Sequence, residues 1–309
     1  MSSSHFQTFL ELIYKKSPLQ KKKLEKYLAS QPSSFFEEAN RFAEQYIGYL
    51  DFQKIPLEYA VGAYLKMCND MMRCQVGFIK TGKYPVSESA DALKDVYNNE
   101  TEMQSYMIGL ALSQFLWSSH YEGFSCFKEA LAKGSGEIHS YLEIGPGHGL
   151  FLSQAMKILR SCDHFVTVDI SSTSIQVTKS IMKHNFPREA DKVIYHHIDM
   201  LELDLHEKYD FISMGEVIEH VNFPDKLLTK LKDLLSPTGR GFVSTCVDCP
   251  AVDHVYHFRS VDEIRALVNS CGLSIVDERI CPVEDLPMEE IVRRKITINY
   301  CCIVQRSSI

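Results

Sequence analysis

Apolar residues recur along this chain in two rhythms. Up to about residue 135 they return every three or four positions, the period of an amphipathic helix. Phe35, Phe36, Ala39, Phe42, Ala43, Tyr46 and Ile47 share one face behind Ser33-Ser34. Glu37 and Glu38 fall in that helix's first turn, where acids suit the dipole. Leu57, Ala60, Val61, Tyr64, Cys68, Met71 and Met72 form a second face. Pro56 precedes it and fits a first helical turn without losing a needed donor. A third stretch, 102–132, carries Met103, Tyr106, Met107, Leu110, Phe115 and Leu116. It contains Gly109 and Gly123, and a break into two helices is expected near Tyr121-Glu122-Gly123. Thr81-Gly82-Lys83-Tyr84-Pro85 reads as a turn, and Lys21-Lys22-Lys23 as a solvated helix face.

After Lys133-Gly134-Ser135-Gly136 the grammar changes to short apolar runs alternating with helical stretches. Strands are expected at 141–144, 164–169, 193–198, 209–214, 241–245, 273–276 and 296–304. Helices are expected at 150–159, 173–184, 226–235 and 261–271, with Gly272 placed to end the last. Pro237-Thr238-Gly239 reads as a turn. Strands and helices alternating at this length imply βαβ units. The predicted fold is α/β: a Rossmann-like, seven-stranded, mainly parallel sheet with an N-terminal all-helical cap. Residues 1–135 are expected to form the cap and 136–309 the sheet domain.

Composition narrows this further. The 309 residues are 45% hydrophobic and 24% charged, which excludes a disordered chain, a collagen or a bare coiled coil. The net charge of -7 and pI near 6.0 lack the footprint of a nucleic-acid binder, so none is expected as partner. Ten cysteines are too few for a disulfide scaffold, and Cys68, Cys74, Cys126 and Cys271 fall in apolar or helical surroundings as free thiols. There is no signal-like start and no apolar run of about 18 residues, so a cytoplasmic protein without a membrane partner is expected. An exposed apolar helix on the cap could support a homodimer.

The most informative segment is Leu142-Glu143-Ile144-Gly145-Pro146-Gly147-His148-Gly149, a strand running through a glycine loop into a helix. Gly145 and Gly147 let backbone pass close to a ligand. A dinucleotide fingerprint would read Gly-x-Gly-x-x-Gly and seat a pyrophosphate. Here the spacing is Gly-x-Gly-x-Gly, and the acid Glu143 precedes it. An acid repels a phosphate and attracts a cationic ligand.

This arrangement resembles the class I S-adenosylmethionine-dependent methyltransferase family over residues 138–305. The resemblance implies S-adenosylmethionine as cofactor, bound by Glu143, Gly145, Gly147, Gly149, Asp169, Ile170, Asp199, Met200, Gly215 and Glu216. In that family the acid at the place of Asp169 takes the ribose hydroxyls. The acid at the place of Asp199 takes the adenine amino group, and Met200 follows it against the ring. Gly215-Glu216-Val217-Ile218-Glu219-His220-Val221 is close to the segment that many members use beside the methionine moiety. Glu-His-Val after the fourth strand is common in the small-molecule subgroup. Four features at the ends of four successive strands also match the place where open α/β sheets bind ligands.

Methyl transfer from a sulfonium needs alignment and exclusion of water, with a base for the acceptor's proton where the acceptor carries one. The candidate bases are His220 and, beyond the fifth strand, Asp253, His254, Tyr256 and His257, of which His220, His254 and His257 are taken as catalytic; the candidate substrate residues are Trp117, His120, Tyr121, Glu219 and Tyr256. Tyr106, Met103 and Met107 could floor a pocket but read chiefly as core. No metal is expected, because the spacing of His120, His254 and His257 does not enforce a site. Cys246 and Cys249 have redox-like spacing but no second cysteine pair, and read as packing or lining residues. The expected activity is methyl transfer to a small polar metabolite. A weak similarity points to amino-acid-derived α-keto acids. The alternatives are a nicotinamide-dependent oxidoreductase and a non-catalytic S-adenosylmethionine-binding regulatory module.

Overall fold

A computed structural model describes residues 4–89, 99–204 and 206–307. Helices come first: α1 (His5–Lys16), α2 (Pro18–Leu28), α3 (Ser33–Phe52), α4 (Leu57–Thr81), α5 (Glu100–Leu116) and α6 (Ser118–Ala132). Their ends follow local chemistry. Ser4, Ser17 and Asn99 accept backbone N–H groups at the starts of α1, α2 and α5, satisfying donors the helix leaves unpaired. Gly82 ends α4 in the left-handed conformation. The break between α5 and α6 falls at Trp117, not near Gly123, which lies inside α6. Trp117 has extended backbone (φ −121°, ψ 125°), and its indole N–H donates to the Tyr64 hydroxyl at 3.1 Å, so a tertiary contact fixes the break.

The second half alternates β1 (Ser140–Ile144), α7 (Leu150–Ile158), β2 (His164–Asp169), α8 (Ser172–Asn185), β3 (Val193–His197), β4 (Tyr209–Gly215), α9 (Pro224–Leu234) and β5 (Leu235–Val247). It ends with α10 (Val261–Ser270), β6 (Leu273–Pro282), α11 (Met288–Arg293) and β7 (Ile298–Arg306). The sheet order is β3-β2-β1-β4-β5-β7-β6. The first five strands run parallel and β7 is antiparallel to both neighbours, so the fold is the mainly parallel seven-stranded sheet expected. Residues 237–239, read as a turn, lie within β5, where the pairing with β4 shifts register between Tyr209 and Phe211. The loops leaving β1, β2, β3, β4 and β5 all open on one edge, the ligand edge of such sheets.

One face of the sheet packs under α9 and α10 through Leu228, Leu231, Ile264 and Val268. The other face shares its core with the helical half. Phe127 of α6 is fully buried, with its ring 4.7 Å from Phe151, 5.3 Å from Phe242 and 6.2 Å from Phe211. No helix among the described residues is long and apolar enough to cross a membrane.

Candidate active site

A cavity of about 1890 Å³ opens where the strand ends meet α5. Small-ligand pockets run to roughly 1,000 Å³, so this one has room for a cofactor and a second reactant. Two groups among its lining residues carry titratable or loop chemistry.

At one end is the glycine loop. β1 carries Glu143 to the cavity beside Thr167 of β2 and Ser213 of β4 in register. Gly145 takes φ +71°, and a side chain there would collide with Val217, 2.6 Å from the Cβ position. Burial pushes Glu143 up to about 8 against the Tyr141 hydroxyl, which donates to it at 2.6 Å; the Asp169 charge adds to the rise. Burial likewise pushes Asp169 up to about 6, although the backbone N–H groups of Ser171 and Gly147 donate to its carboxylate. Two buried carboxylates flanking one loop resist ionising until a positive ligand or hydroxyl donors reach them. S-adenosylmethionine carries both an ammonium and ribose hydroxyls, so these residues fit it. A pyrophosphate would meet repulsion. Ile170, Asp199, Met200, Gly215 and Glu216 also line this cavity, as do Gly145 and Gly147.

Gly149 does not. It sits at φ +71° with its Cβ position 2.9 Å from Ile181 and 3.2 Å from the Thr178 backbone, so it permits α8 to approach the loop. Its role is packing, which loop spacing alone does not separate from ligand contact.

At the other end the cavity is walled by titratable side chains. Glu216 is held at φ +52°, a strained value for a non-glycine residue and a mark of functional sites. Ser244 fixes it: the Glu216 backbone N–H donates to the Ser244 carbonyl at 3.0 Å, and the Ser244 hydroxyl donates to Glu216 Oε1 at 2.7 Å. His220 Nδ1 donates to the Asp253 carbonyl at 3.0 Å, with the Asp253 carboxylate at 3.4 Å. Burial lowers the ring's affinity for a second proton, against the pull of the Asp253 charge. The His254 ring stands edge-on to His220 at 4.7 Å. Burial opposes charge on His254, but its thiolate partner Cys249 and the nearby carboxylates outweigh burial and favour imidazolium.

The helical half closes over both ends. Met103, Tyr106 and Met107 of α5 line the cavity, and the Met107 sulfur lies 3.3 Å from the Cβ position of Gly147. Burial, then the Asp253 charge, holds the Tyr106 hydroxyl well above its ordinary pKa. Trp117 and His120 also line the cavity. Ser113 hydrogen-bonds His120 at 2.8 Å, and burial lowers that imidazole to about 4.

Four expected residues lie elsewhere. His257 binds Asp248 at 2.6 Å and packs on Phe78 and Tyr84, outside the cavity. Tyr256 packs on Phe258. Tyr121 points back into the helices, donating to Glu38 at 3.0 Å against Phe35. Glu219 is fully buried behind the cavity wall, accepting from Thr245 at 2.7 Å. Each follows from side-chain direction: neighbours one residue apart leave a loop or helix on different sides. His120, His254 and His257 do not form a joint group.

One lining residue was missed. His148 lies in the glycine loop itself; burial lowers its pKa to about 3, and its ring nitrogen is 3.4 Å from Gln114 Nε2. Its place inside the quoted motif was the available signal. Asp253, one of the candidate bases beyond the fifth strand, does lie on the cavity wall.

A family model described as a methyltransferase domain matches residues 120–278, just over half of the chain. The ubiquinone biosynthesis O-methyltransferase, mitochondrial, of Candida albicans is 30% identical over 104 residues, which is 34% of this chain and 31% of that protein. The match thus spans about a third of that relative's length. Among solved structures, the N-methyltransferase NodS of Bradyrhizobium japonicum, in complex with S-adenosylhomocysteine, matches with TM-score 0.50 and 15% identity over 72% of this chain and all of its own. The mitomycin 7-O-methyltransferase MmcR matches with TM-score 0.55 and 10% identity over 81% of this chain and 70% of its own. An O-methyltransferase family protein from Burkholderia thailandensis gives TM-score 0.54 and 13% identity over 81% and 72%. At these identities the likeness is one of fold.

Proposed function

We propose that this chain, which belongs to the methyltransferase-domain family matched over residues 120–278, uses S-adenosylmethionine to methylate a small polar metabolite beneath its helical half. The observation that carries the reading is the convergence of Glu143, Asp169, Asp199 and Glu216, from the ends of β1, β2, β3 and β4, on one cavity.

Glu143 and Asp169 would hold the ammonium and ribose of the cofactor, and Asp199 with Met200 its adenine. When bound, S-adenosylmethionine supplies an activated methyl group. The protein's own work is alignment and exclusion of water. The helices of residues 1–135 act as the cap, with α5 laying Tyr106 and Met107 across the opening. His220, on the cavity wall beside Asp253, is the group placed to take a proton. Burial keeps that ring neutral near physiological pH, the state a base requires. His254 stands beside it as a charge partner. The helices laid over the far end of the cavity favour a small acceptor over a macromolecule.

The test is thermal melting with S-adenosylhomocysteine and, separately, NADH. The former should raise the melting temperature and the latter should not, and Asp169→Ala should abolish the shift. A wild-type protein indifferent to S-adenosylhomocysteine at millimolar concentration would sink the reading. Labelled S-adenosylmethionine with a metabolite extract would then identify the acceptor and the methylated atom.

A further inference from the structure

Cys246 is the last residue but one of β5, and Cys249 and His254 follow within the next eight residues. All three are buried, at 2%, 6% and 5% exposure. One ligand atom from each lies within 4.8 Å of the other two. Cys246 Sγ is 3.7 Å from His254 Nδ1. In a tetrahedral zinc site, bonds of about 2.3 Å to sulfur and about 2.0 Å to nitrogen place such a pair about 3.5 Å apart. The spacing is therefore that of two adjacent ligands with little movement needed.

The surroundings call for positive charge. Glu216 and Glu219 each bring an oxygen within 4.8 Å of Cys246 Sγ and of one another. Glu219 is fully buried, and its Oε1 has no hydrogen-bond partner. Buried carboxylates and thiolates are costly unless a cation compensates them. The nearest candidates among the described residues are imidazoles, with His220 Nε2 at 3.8 Å from that Oε1.

We propose that Cys246, Cys249 and His254 form a binding site for a soft divalent cation, zinc by its ligand chemistry, whose fourth position faces the cavity. Two thiolates and one imidazole select zinc over magnesium or calcium, which prefer all-oxygen shells. Three protein ligands are the number found in catalytic zinc sites, where water or substrate completes the tetrahedron. Cys249 and His254 line the cavity, so the fourth ligand comes from there. A water or a heteroatom of the methyl acceptor fits it, and the carboxylates of Glu216 and Glu219 balance the charge. Binding releases the Cys246 thiol proton and the proton that His254 Nδ1 donates to the Cys249 carbonyl at 2.7 Å. The metal site stands independently of the methyl-transfer reading; only the acceptor's place on it rests on that reading.

The test uses the full chain, kept reduced, stripped with chelator and dialysed against zinc, cobalt or magnesium. About one zinc per chain should remain by elemental analysis, with magnesium not retained. The cobalt form should show a thiolate-to-metal charge-transfer band. Cys249→Ser and His254→Ala should lose the zinc while keeping the melting shift with S-adenosylhomocysteine, which separates this proposal from the cofactor assignment. Three results would overturn it: no stoichiometric zinc in the reduced wild type, a cobalt spectrum without the thiolate band, or zinc kept by Cys249→Ser but lost by Glu216→Gln. If the cysteine variants do not fold, the wild-type cobalt spectrum decides.

Discussion

The two ends of the cavity are built by different means. The end at the glycine loop is made of strand termini, tight backbone and two acids, Glu143 and Asp169, with Asp199 beyond. Its geometry follows from a short stretch of β1 and from where β2 and β3 stop. The far end is made of side chains gathered from β4, β5, the loop beyond β5 and α5: Glu216, His220, Asp253, His254 and Tyr106. In the proposed reading the first end meets only the cofactor and so could serve any acceptor. In the same reading the second end meets the acceptor.

That division predicts that lesions at the two ends read out differently. The largest effect is expected at His220. His220→Ala should lower kcat by about 10² to 10⁴-fold, the usual worth of a positioned base, while the S-adenosylhomocysteine affinity stays near wild type. A drop in affinity with kcat intact would erase the distinction between the ends. Next comes Asp169→Ala, which removes a carboxylate fit to bond both ribose hydroxyls. Hydrogen bonds to charged groups contribute about 1.5–3 kcal/mol each, so calorimetry should show a loss of about 100-fold or more in cofactor affinity.

A smaller effect is expected from pH. Burial holds Glu143 near 8 and Asp169 near 6 in the ligand-free protein, both above their unfolded values. Below the ordinary carboxylate range both states are protonated and neither group costs stability. As pH rises from there towards about 8, the folded state holds more protons than the unfolded one, so the ligand-free protein loses stability. The ammonium of the cofactor favours the ionised carboxylates. Its affinity should therefore rise with pH between about 6 and about 8, with proton release on binding, and level off above. Calorimetry in buffers of different ionisation enthalpy measures both; a pH-independent affinity would detach Glu143 from the ligand. The smallest effect belongs to Tyr121, whose hydroxyl serves Glu38 inside the helices. Tyr121→Phe should cost about 1 kcal/mol in denaturant unfolding and leave kinetics unchanged.

Much of the fold was legible because the sheet half is locally encoded. Each parallel strand is a short apolar run ended by glycine or acid, and the helices between them show their own period. The strand at His164–Asp169 begins and ends where the apolar run does. The interrupted helix was placed four residues or more too late, because the break depends on Trp117 meeting Tyr64 across the bundle rather than on a helix-breaking residue. The acids of the cofactor end were readable for the same reason as the strands: each sits at a fixed distance from a strand that announces itself. Glycine spacing was less informative, since Gly149 serves the packing of α8.

The residues of the far end were only partly readable. His254 and His257 are three apart in the same loop, yet one faces the cavity while the other turns to Asp248 and Tyr84. No sequence period governs an irregular loop, so direction there is set by what packs around it. The same holds for Cys246 and Cys249, whose thiols and the His254 ring meet only because the chain doubles back after β5. Local pattern thus sufficed for the alternating architecture, the glycine loop and the acids at the strand ends, because burial period and strand ends are properties of neighbouring residues. The walls of the acceptor end, the break at Trp117 and the buried sulfur-imidazole cluster join residues distant in sequence or set in loops, and packing of the whole molecule was needed to orient them.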